Sequence, residues 1–348
     1  MPELKNIGAV PSFENKKALV RVDTDVDLQG EVISDDTRLA SSLETVRYIL
    51  DHQGTVVILG HLGRPDGKEN PEFTLLPIAK WYAQKFNGVT EETKLGDFNG
   101  WKITDHMFVV ENLRFFPEEE EKGEEFVKKL AALGDVYVNE AFAVSHRDHA
   151  SISGIPTILP SYAGFHLQEE TATLSKILEN PERPLVVVIG GAKIETKLPM
   201  VETMHKIADY VLVGGQIAEQ DKILMGVQEE KQGDHKCVVL VADNTEDGLD
   251  ITPKDTENFI QIFMLAKTIV WNGPVGKMGN PETEANTLKI AEAIANSGAY
   301  TVVGGGDSLT LLKQHNMLDR FSFVSTGGGA MLEFLSGKDL PGIKVLEQ

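Results

Sequence analysis

One pattern recurs along most of the chain and restricts its fold. A short apolar run of strand length leads into a polar or glycine-rich loop, and a helical pattern follows. Residues 37–52 and 120–133 are two of these helical patterns. Strands that alternate with helices are typical of a parallel sheet with helices on both faces. The predicted fold class is therefore α/β, and 348 residues are enough for two such domains.

In the first half of the chain, four apolar runs lead into loops that carry arginine. The runs cover residues 17–22, 55–59, 107–110 and 136–138. The arginines at or just beyond their ends are Arg38, Arg64, Arg114 and Arg147. Ligands of parallel sheets bind at the carboxyl ends of the strands, and guanidinium groups suit carboxylate and phosphate. One such arginine is usually a surface residue, but four in the same topological place predict a site for a small polyanion.

In the second half, the loops after the strands are rich in glycine. Residues 300–303 and 321–324 are short apolar runs, and each leads into three consecutive glycines. Asp307 and Ser308 follow the first of these and are suited to cap the next helix. A strand, a glycine loop and a helix N-terminus together hold phosphate through free N–H groups. One such loop could equally be only a tight turn, whereas two in one domain favour a nucleotide site.

Two lysines follow another glycine pair, Gly190 and Gly191. Lys193 and Lys197 lie four residues apart at the start of a predicted helix, so they share one face. Like charges there are unfavourable unless an anion lies between them; the alternative is a solvated lysine face. Neither G-x-x-x-x-G-K-[ST] nor G-x-G-x-x-G occurs in the chain. The predicted phosphate site is therefore of another kind.

Composition excludes several classes of protein. The net charge of -20 argues against general binding to nucleic acid or anionic membranes. Cys237 is the only cysteine, which excludes a disulfide framework and is typical of the cytoplasm. Residues 1–10 do not have the pattern of a signal peptide, and no apolar run is long enough to span a bilayer. In residues 156–180, two prolines precede a long amphipathic helical pattern. This segment is the predicted connection between the domains.

Taken in order, the motifs resemble those of the phosphoglycerate kinase family along nearly the whole chain. They are R-V-D-T-D-V-D from Arg21, D-D-T-R from Asp35, H-L-G-R-P from His61, E-N-L-R-F from Glu111, A-F-A-V-S-H-R-D-H-A-S from Ala141, G-G-A-K-I-E-T-K-L from Gly190, W-N-G-P-V-G from Trp271, G-G-G-D-S from Gly304 and S-T-G-G-G-A from Ser325. Each is weak alone, but their joint order and spacing are specific.

The resemblance implies two doubly wound parallel-sheet domains that face each other across a cleft and are joined by a long helix. Residues 1–160 would bind 3-phosphoglycerate, with residues 331–348 packing back onto them. Residues 161–180 would form the helix, and residues 181–330 would bind the nucleotide. The implied activity is reversible, Mg²⁺-dependent phosphoryl transfer between ATP and the carboxylate of 3-phosphoglycerate, by a monomeric cytoplasmic enzyme of glycolysis. Its partners would be these small molecules, with no nucleic acid and no membrane.

The resemblance also assigns residues. Asp23 would hold the substrate hydroxyl, Arg38 would face the reacting carboxylate, and the remaining substrate contacts would be Asp25, His61, Leu62, Gly63, Arg64, Arg114 and Arg147. The nucleotide contacts would be Lys193, Lys197, Gly214, Asn272, Gly305, Gly306, Asp307, Ser308, Gly328 and Gly329, with Asp307 binding Mg²⁺. Arg38, Lys193 and Lys197 would be catalytic. The attacking carboxylate is already ionised at neutral pH, so no general base is required.

Several positions depart from the family pattern. Asp25 stands in place of asparagine, Gly60 in place of serine, and Gly279 in place of a glutamate that holds the ribose. Asp27 replaces a proline, Thr252 replaces a glycine, Gln216 takes the third position of a glycine triplet, and the stretch 216–250 is shortened. These changes affect the nucleoside side more than the phosphate side. The alternative hypothesis is a non-catalytic paralog that binds a phosphorylated metabolite as a sensor or scaffold; retained Arg38, Lys197 and Asp307 argue against it.

Overall fold

The computed structural model describes residues 3–191, 194–215 and 237–347. The chain divides into two compact units. The first contains Met1–Ala172 and Asp339–Gln348, and the second contains Thr173–Lys338. Each unit is built around its own sheet.

The sheet of the first unit has seven strands in the order β5-β6-β7-β4-β1-β8-β9. Their bounds are β1 Lys17–Arg21, β4 Thr55–Leu59, β5 Glu91–Leu95, β6 Phe98–Thr104, β7 Met107–Val110, β8 Val136–Asn139 and β9 Ser161–Ala163. Strands β7, β4, β1, β8 and β9 are parallel, whereas β5 and β6 are antiparallel at one edge. A separate hairpin pairs β2 (Leu28–Gln29) with β3 (Val32–Ile33).

Helices cover both faces of this sheet. They are α1 Thr37–Ala40, α2 Leu43–Asp51, α3 Leu76–Lys85, α4 Pro117–Glu121, α5 Glu124–Ala131 and, at the C-terminal end, α12 Pro341–Lys344. A further helix, α6 Phe165–Glu179, begins in this unit and continues into the second one after Ala172. Shorter 3-10 turns occupy Ile7–Ala9, Pro71–Phe73, Leu113–Phe115, Phe142–Val144 and Ile155–Thr157, and a π turn occupies Ala150–Gly154. Alternate residues of one strand enter different cores: Val20 lies in one and Leu19 in the other. Burial on both faces explains the continuous apolar runs.

The second unit has a six-stranded, fully parallel sheet in the order β12-β11-β10-β13-β14-β15. The strands are β10 Leu185–Ile189, β11 Tyr210–Val213, β12 Val238–Val241, β13 Thr268–Asn272, β14 Tyr300–Gly304 and β15 Phe323–Val324. The helices are α7 Ile194–Ile207, α8 Pro253–Phe263, α9 Pro281–Asn296, α10 Gly306–Gln314 and α11 Gly328–Leu335, with a 3-10 turn at Leu318–Arg320. The α/β fold class with parallel sheets is confirmed.

Two helices predicted as continuous are each interrupted. Residues 37–52 form α1 and α2, because the Ser42 hydroxyl donates to the carbonyl of Leu39 at 2.6 Å and so competes with the helical backbone pattern. Residues 120–133 are divided between α4 and α5, because Lys122 adopts a left-handed conformation with φ 55° before Gly123. The prediction of one helix in each segment was therefore wrong.

The segments expected at the domain connection have different bounds in the structure. The long helix α6 begins at Phe165 rather than 161, because residues 161–163 pair with β8 as strand β9. The Glu140 carboxylate accepts N–H groups of His166 and Leu167, at 3.2 Å each, in the first turn of α6. The returning C-terminal segment belongs to the first unit from Asp339, not from residue 331, since residues 328–335 form α11 of the second unit.

Candidate active site

Each sheet has a point at which the strand order reverses. In the first unit the chain runs outward from β1 through β4 to β7, and then places β8 on the other side of β1. In the second unit the same reversal lies between β10 and β13. Crevices at the carboxyl ends of strands beside such reversals are the usual ligand sites of these folds. Most of the residues singled out from the sequence follow these strands.

The loop after β1 joins Asp23, Asp25 and Arg38. Arg38 Nε lies 3.3 Å from Asp23 Oδ2, and Arg38 Nη1 donates to the backbone carbonyl of Asp25 at 2.6 Å. Burial raises the pKa of the Asp23 carboxyl, and the attraction of Arg38 opposes that rise. The pKa of Arg38 is raised by Asp23, so the guanidinium remains charged. These contacts hold Arg38 in place through Nε and Nη1, and the rest of its guanidinium group can contact a ligand.

Asp25 is tied to the loop that follows β4. Its Oδ1 accepts the N–H of Gly63 at 2.9 Å, and its Oδ2 lies 3.9 Å from His61 Nε2. Arg21, which could have neutralised Asp25, donates instead to Val22, Ser151 and His61. The negative charge of Asp25 therefore lies beside the predicted phosphate contacts.

The loop 61–64 is fixed by two neighbours. Arg114 Nη1 donates to the carbonyl of Gly63 at 2.8 Å, while Arg114 Nε pairs with Glu120 at 3.1 Å. Leu62 is buried, and its carbonyl accepts from Asn112 Nδ2 at 2.8 Å. Leu62 therefore contributes packing and backbone rather than a side-chain contact. Arg64 and Arg114 line one small pocket together with Glu120.

Several arginines of this unit also act on His61. Burial lowers the pKa of His61 well below its usual value, and Arg21, Arg114, His149 and Arg147 act in the same direction. Burial likewise lowers the pKa of His149, to about 4. Both imidazoles are therefore neutral at neutral pH, and the positive charge of the site comes from arginine.

In the second unit, the Lys197 side chain lies at the reversal point. Its ammonium donates to the carbonyl of Gly190, after β10, and to the carbonyl of Asn272, at the end of β13, at 3.1 Å. Lys197 is only 8% exposed. A Cβ at Gly273, where φ is 92°, would overlap the ammonium and the Gly190 carbonyl. Glycine therefore creates the space that this cation occupies.

The two triple-glycine loops meet beside this lysine. A Cβ at Gly328 would lie 3.1 Å from the Cα of Gly305. Gly305 has φ 99°, and Gly306 is the first residue of α10, with open space around the position of a Cβ. Ser308 is buried and accepts the N–H of Gly273 at 3.1 Å. Gly329 is exposed in the first turn of α11.

Asn272 and Gly214 mainly shape the backbone of this site. Asn272 Nδ2 lies 3.7 Å from Met331 Sδ, and its carbonyl accepts from Gly190 N at 3.0 Å. Gly214 donates to Ile189 O at 3.0 Å, and a side chain there would overlap Val275. Lys193 and Gln216 lie outside the described residues.

Asp307 is the predicted magnesium ligand. It is exposed in the first turn of α10 and lines a pocket with Asp250, Gly191 and Lys277. Within the described ranges, three acidic, histidine or cysteine side chains do not come together as a complete metal cluster. One carboxylate is nevertheless what Mg²⁺ requires when substrate phosphates and water supply its other ligands. The residues present therefore fit a magnesium ion that arrives with a nucleotide.

The altered nucleoside positions have local explanations. Gly279 has φ 98°, and its N–H donates to Glu284 Oε1 at 2.5 Å, so a carboxylate does approach this loop from α9. Thr252 caps α8, since its hydroxyl accepts the N–H of Asp255 at 3.2 Å. Thr252 thus contributes a side-chain hydrogen bond to the helix N-terminus, which glycine cannot make.

Sequence reasoning did not predict the network of buried polar residues behind the first site, which contains Arg21, Thr24, Glu119 and Ser151. Arg21 and Ser151 are 130 residues apart and yet hydrogen-bonded at 2.8 Å. Only Arg21 gave a signal, as a charged residue at the end of a strand that is otherwise apolar.

Comparison with known proteins identifies the family. The family model described as phosphoglycerate kinase matches residues 9–232 and 220–338. The phosphoglycerate kinase of Borreliella burgdorferi (strain ATCC 35210) is 36% identical over 392 positions, covering 99% of each chain. That of Dictyoglomus turgidum is 37% identical over 383 positions, covering 96% of each.

Solved structures agree with these relatives. The phosphoglycerate kinase from Coxiella burnetii has a TM-score of 0.80 at 32% identity and 99% coverage of both chains. The enzyme from Pyrococcus horikoshii has a TM-score of 0.82 at 27% identity, over 99% of this chain and 98% of that one. The 392 positions of the first alignment exceed the 348 residues of this chain by 44, so at least that many are gaps here. The family match divides near residues 220–232, inside the stretch expected to be shortened. This chain belongs to the phosphoglycerate kinase family.

Proposed function

We propose that the arginine-lined site of the first unit binds 3-phosphoglycerate and that the glycine-lined site of the second unit binds Mg-ATP or Mg-ADP. The family is one of phosphotransferases, and the full-length likeness to named phosphoglycerate kinases favours an enzyme over the sensor alternative. The monomeric state and the cytoplasmic location belong to the same proposal and rest on the resemblance. A helix long and apolar enough to cross a membrane does not occur among the described residues.

The observation that carries this proposal is the position of Lys197. Its buried ammonium lies at the strand reversal, between the loops after β10 and β13 and next to Gly191. The carbonyls of Gly190 and Asn272 accept from it there, and phosphate oxygens attract a cation more strongly than carbonyls do. A nucleotide phosphate would therefore compete well for this ammonium.

The reaction needs little covalent help from the protein. A carboxylate oxygen of 3-phosphoglycerate attacks the γ-phosphorus of ATP, the bond from that phosphorus to the β,γ-bridging oxygen breaks, and its electron pair leaves with ADP. No proton has to move, because the carboxylate is already ionised. Arg38 orients the carboxylate, with Asp23 holding its Nε end. Lys197 stabilises charge on the transferred group.

Asp307 would hold Mg²⁺ that arrives with the nucleotide, and the ion would supply charge neutralisation on the phosphates. The N–H groups at the start of α10 and the glycine loops before α10 and α11 would contribute further donors to phosphate oxygens. The site is thus suited to phosphate more than to a particular base.

A coupled assay tests this proposal. ADP formed from ATP and 3-phosphoglycerate in the presence of Mg²⁺ is measured, together with ATP formed in the reverse direction. We expect turnover that requires all three components. Binding of both ligands without turnover in either direction would contradict the proposal and favour the sensor alternative.

A further inference from the structure

We propose that Arg21 is a positioning residue that selects one neutral tautomer of His61, the form with its proton on Nε2, so that His61 donates a hydrogen bond to the anion bound in the first unit. The identity of that anion rests on the proposed function. The role of Arg21 rests on the contacts described below.

The contact between the two side chains decides the tautomer. Arg21 Nη2 lies 2.9 Å from His61 Nδ1, and both side chains are buried. A guanidinium group is only a donor, so Nδ1 must accept. In a neutral imidazole the proton then lies on Nε2. The hydrogen-bond geometry therefore leaves one tautomer.

Arg21 is itself held rigidly, so its direction does not vary. Its Nη1 donates to the carbonyl of Val22 at 2.5 Å, and its Nε donates to Ser151 Oγ at 2.8 Å. Ser151 Oγ in turn donates to Glu119 Oε1 at 2.5 Å, and Glu119 is buried. Glu119, Ser151, Arg21 and His61 thus form one connected line of buried polar groups.

The backbone of His61 is fixed from the other side by Thr24. The Thr24 hydroxyl accepts the N–H of His61 at 2.7 Å and donates to its carbonyl at 2.6 Å. A Cβ at position 60 would overlap the Thr24 side chain, so Gly60 is required next to this threonine. With backbone and Nδ1 both fixed, Nε2 is directed toward Asp25, at 3.9 Å from Oδ2.

The neutral form is the one present at neutral pH. Burial and the charges of Arg21, Arg114, His149 and Arg147 all lower the pKa of His61, while the Asp25 carboxylate faces Nε2. Arginine therefore supplies the positive charge, and His61 supplies a directed neutral donor.

The tautomer can be read directly in the intact, ¹⁵N-labelled protein by two-bond ¹H–¹⁵N correlation, with His61→Asn to assign the signals. We expect a protonated Nε2 and an unprotonated Nδ1, without change between about pH 6 and 8. A proton on Nδ1, or a charged ring at pH 7, would overturn the proposal. This NMR measurement does not depend on turnover. Failure of the proposed function and failure of this inference can therefore be distinguished.

Variants test whether Arg21 is responsible. Arg21→Lys keeps the positive charge but lacks the planar fork, and Arg21→Met with Glu119→Gln removes both buried charges together. In each we expect a mixture of tautomers and a KM for 3-phosphoglycerate raised about fivefold to tenfold with kcat little changed. In the double variant, which removes the positive charge, the pKa of His61 should also rise toward its ordinary value. Ser151→Ala, which frees only Arg21 Nε, should give a smaller change in the same direction.

The matched control is Lys122→Met, which removes a cation of the same unit that pairs with Asp148 at 2.7 Å. We expect it to leave the His61 signals unchanged. If Arg21→Lys and the double variant both retain the Nε2-protonated form and the wild-type KM, Arg21 does not position His61 and the proposal is wrong. Binding of inorganic phosphate, followed by the same signals, supports the inference if wild-type Nε2–H shifts and contradicts it if the signal does not respond.

Discussion

The anion sites proposed for the two units are built from different kinds of chemical group. In the first, charged and polar side chains hold one another: Asp23 holds Arg38, and Arg21 holds His61. In the second, the Lys197 ammonium lies between the backbone carbonyls of Gly190 and Asn272, in space that the missing side chain of Gly273 leaves open. A site formed by side chains is weakened when a side chain is shortened. A site formed by glycine backbone is weakened when a side chain is added. This contrast suits a small substrate that must be recognised group by group and a nucleotide held mainly by its phosphates.

Removal of the buried Lys197 ammonium should have the largest effect. Lys197→Ala is expected to lower kcat by about a hundredfold or more, because the charge meets the transferred group mainly in the transition state. The KM for ATP should change far less. Lys206→Ala, on the exposed face of the same helix, is the control. An unchanged kcat with a raised KM for ATP would make Lys197 a ground-state contact only.

Addition of one methyl group at neighbouring glycines should separate folding from binding. Gly305→Ala is expected to destabilise the protein by about 1–2 kcal/mol, because its φ of 99° disfavours a side chain. Gly306→Ala meets open space and should leave stability unchanged, yet raise the KM for ATP about tenfold if phosphate approaches that N–H. Denaturant unfolding and ATP kinetics are measured for both. Unchanged ATP kinetics in Gly306→Ala would mean that phosphate binds elsewhere.

Removal of the Asp25 charge from the first site should strengthen the binding of 3-phosphoglycerate. Asp25→Asn is expected to lower the KM for 3-phosphoglycerate about fivefold, since like charges in a partly buried site cost on the order of 1 kcal/mol. Asparagine keeps an oxygen for the Gly63 N–H and gains a donor. Asp27→Asn, at an exposed position of the same loop, is the control. A raised KM would show that the carboxylate is compensated or that the loop does not contact the substrate.

The smallest difference is expected between two nucleotides. The sequence predicts a shortened stretch 216–250 on the base side of the site, and Gly279 provides no carboxylate for the ribose. The values of kcat/KM for ATP and GTP should therefore agree to within about tenfold, because a site built to hydrogen-bond a base rejects the wrong one far more strongly. Strong preference for ATP would show that another group reads the base.

The sequence predicted those features that depend on local pattern. The apolar runs 55–59 and 300–303 form strands, and the arginine and glycine loops after them lie where parallel strands end. The helix interruptions at Ser42 and Lys122 were not predicted. The hydrogen bond of the Ser42 hydroxyl and the left-handed backbone of Lys122 do not change the spacing of apolar residues, so the sequence pattern still resembles one helix.

The network behind the first site could not be predicted for a different reason. Contacts of Arg21 with Ser151 and of Thr24 with His61 join parts of the chain that are far apart in sequence. A buried arginine at the end of a strand shows no local sign of the partner that satisfies it. Gly60 is explained only once Thr24 is seen to fill the space beside it.

A ligand-induced chemical-shift map tests most directly whether the first unit binds 3-phosphoglycerate and the second binds the nucleotide. The backbone amides of the wild-type protein are followed during separate titrations with 3-phosphoglycerate and with Mg-ATP. We predict that 3-phosphoglycerate shifts signals of residues 21–25, 61–64, 112–114 and 145–149, and that Mg-ATP shifts signals of residues 190–191, 213–215, 272–277 and 304–308. Perturbation of the glycine loops by 3-phosphoglycerate, with the arginine loops unaffected, would contradict the account.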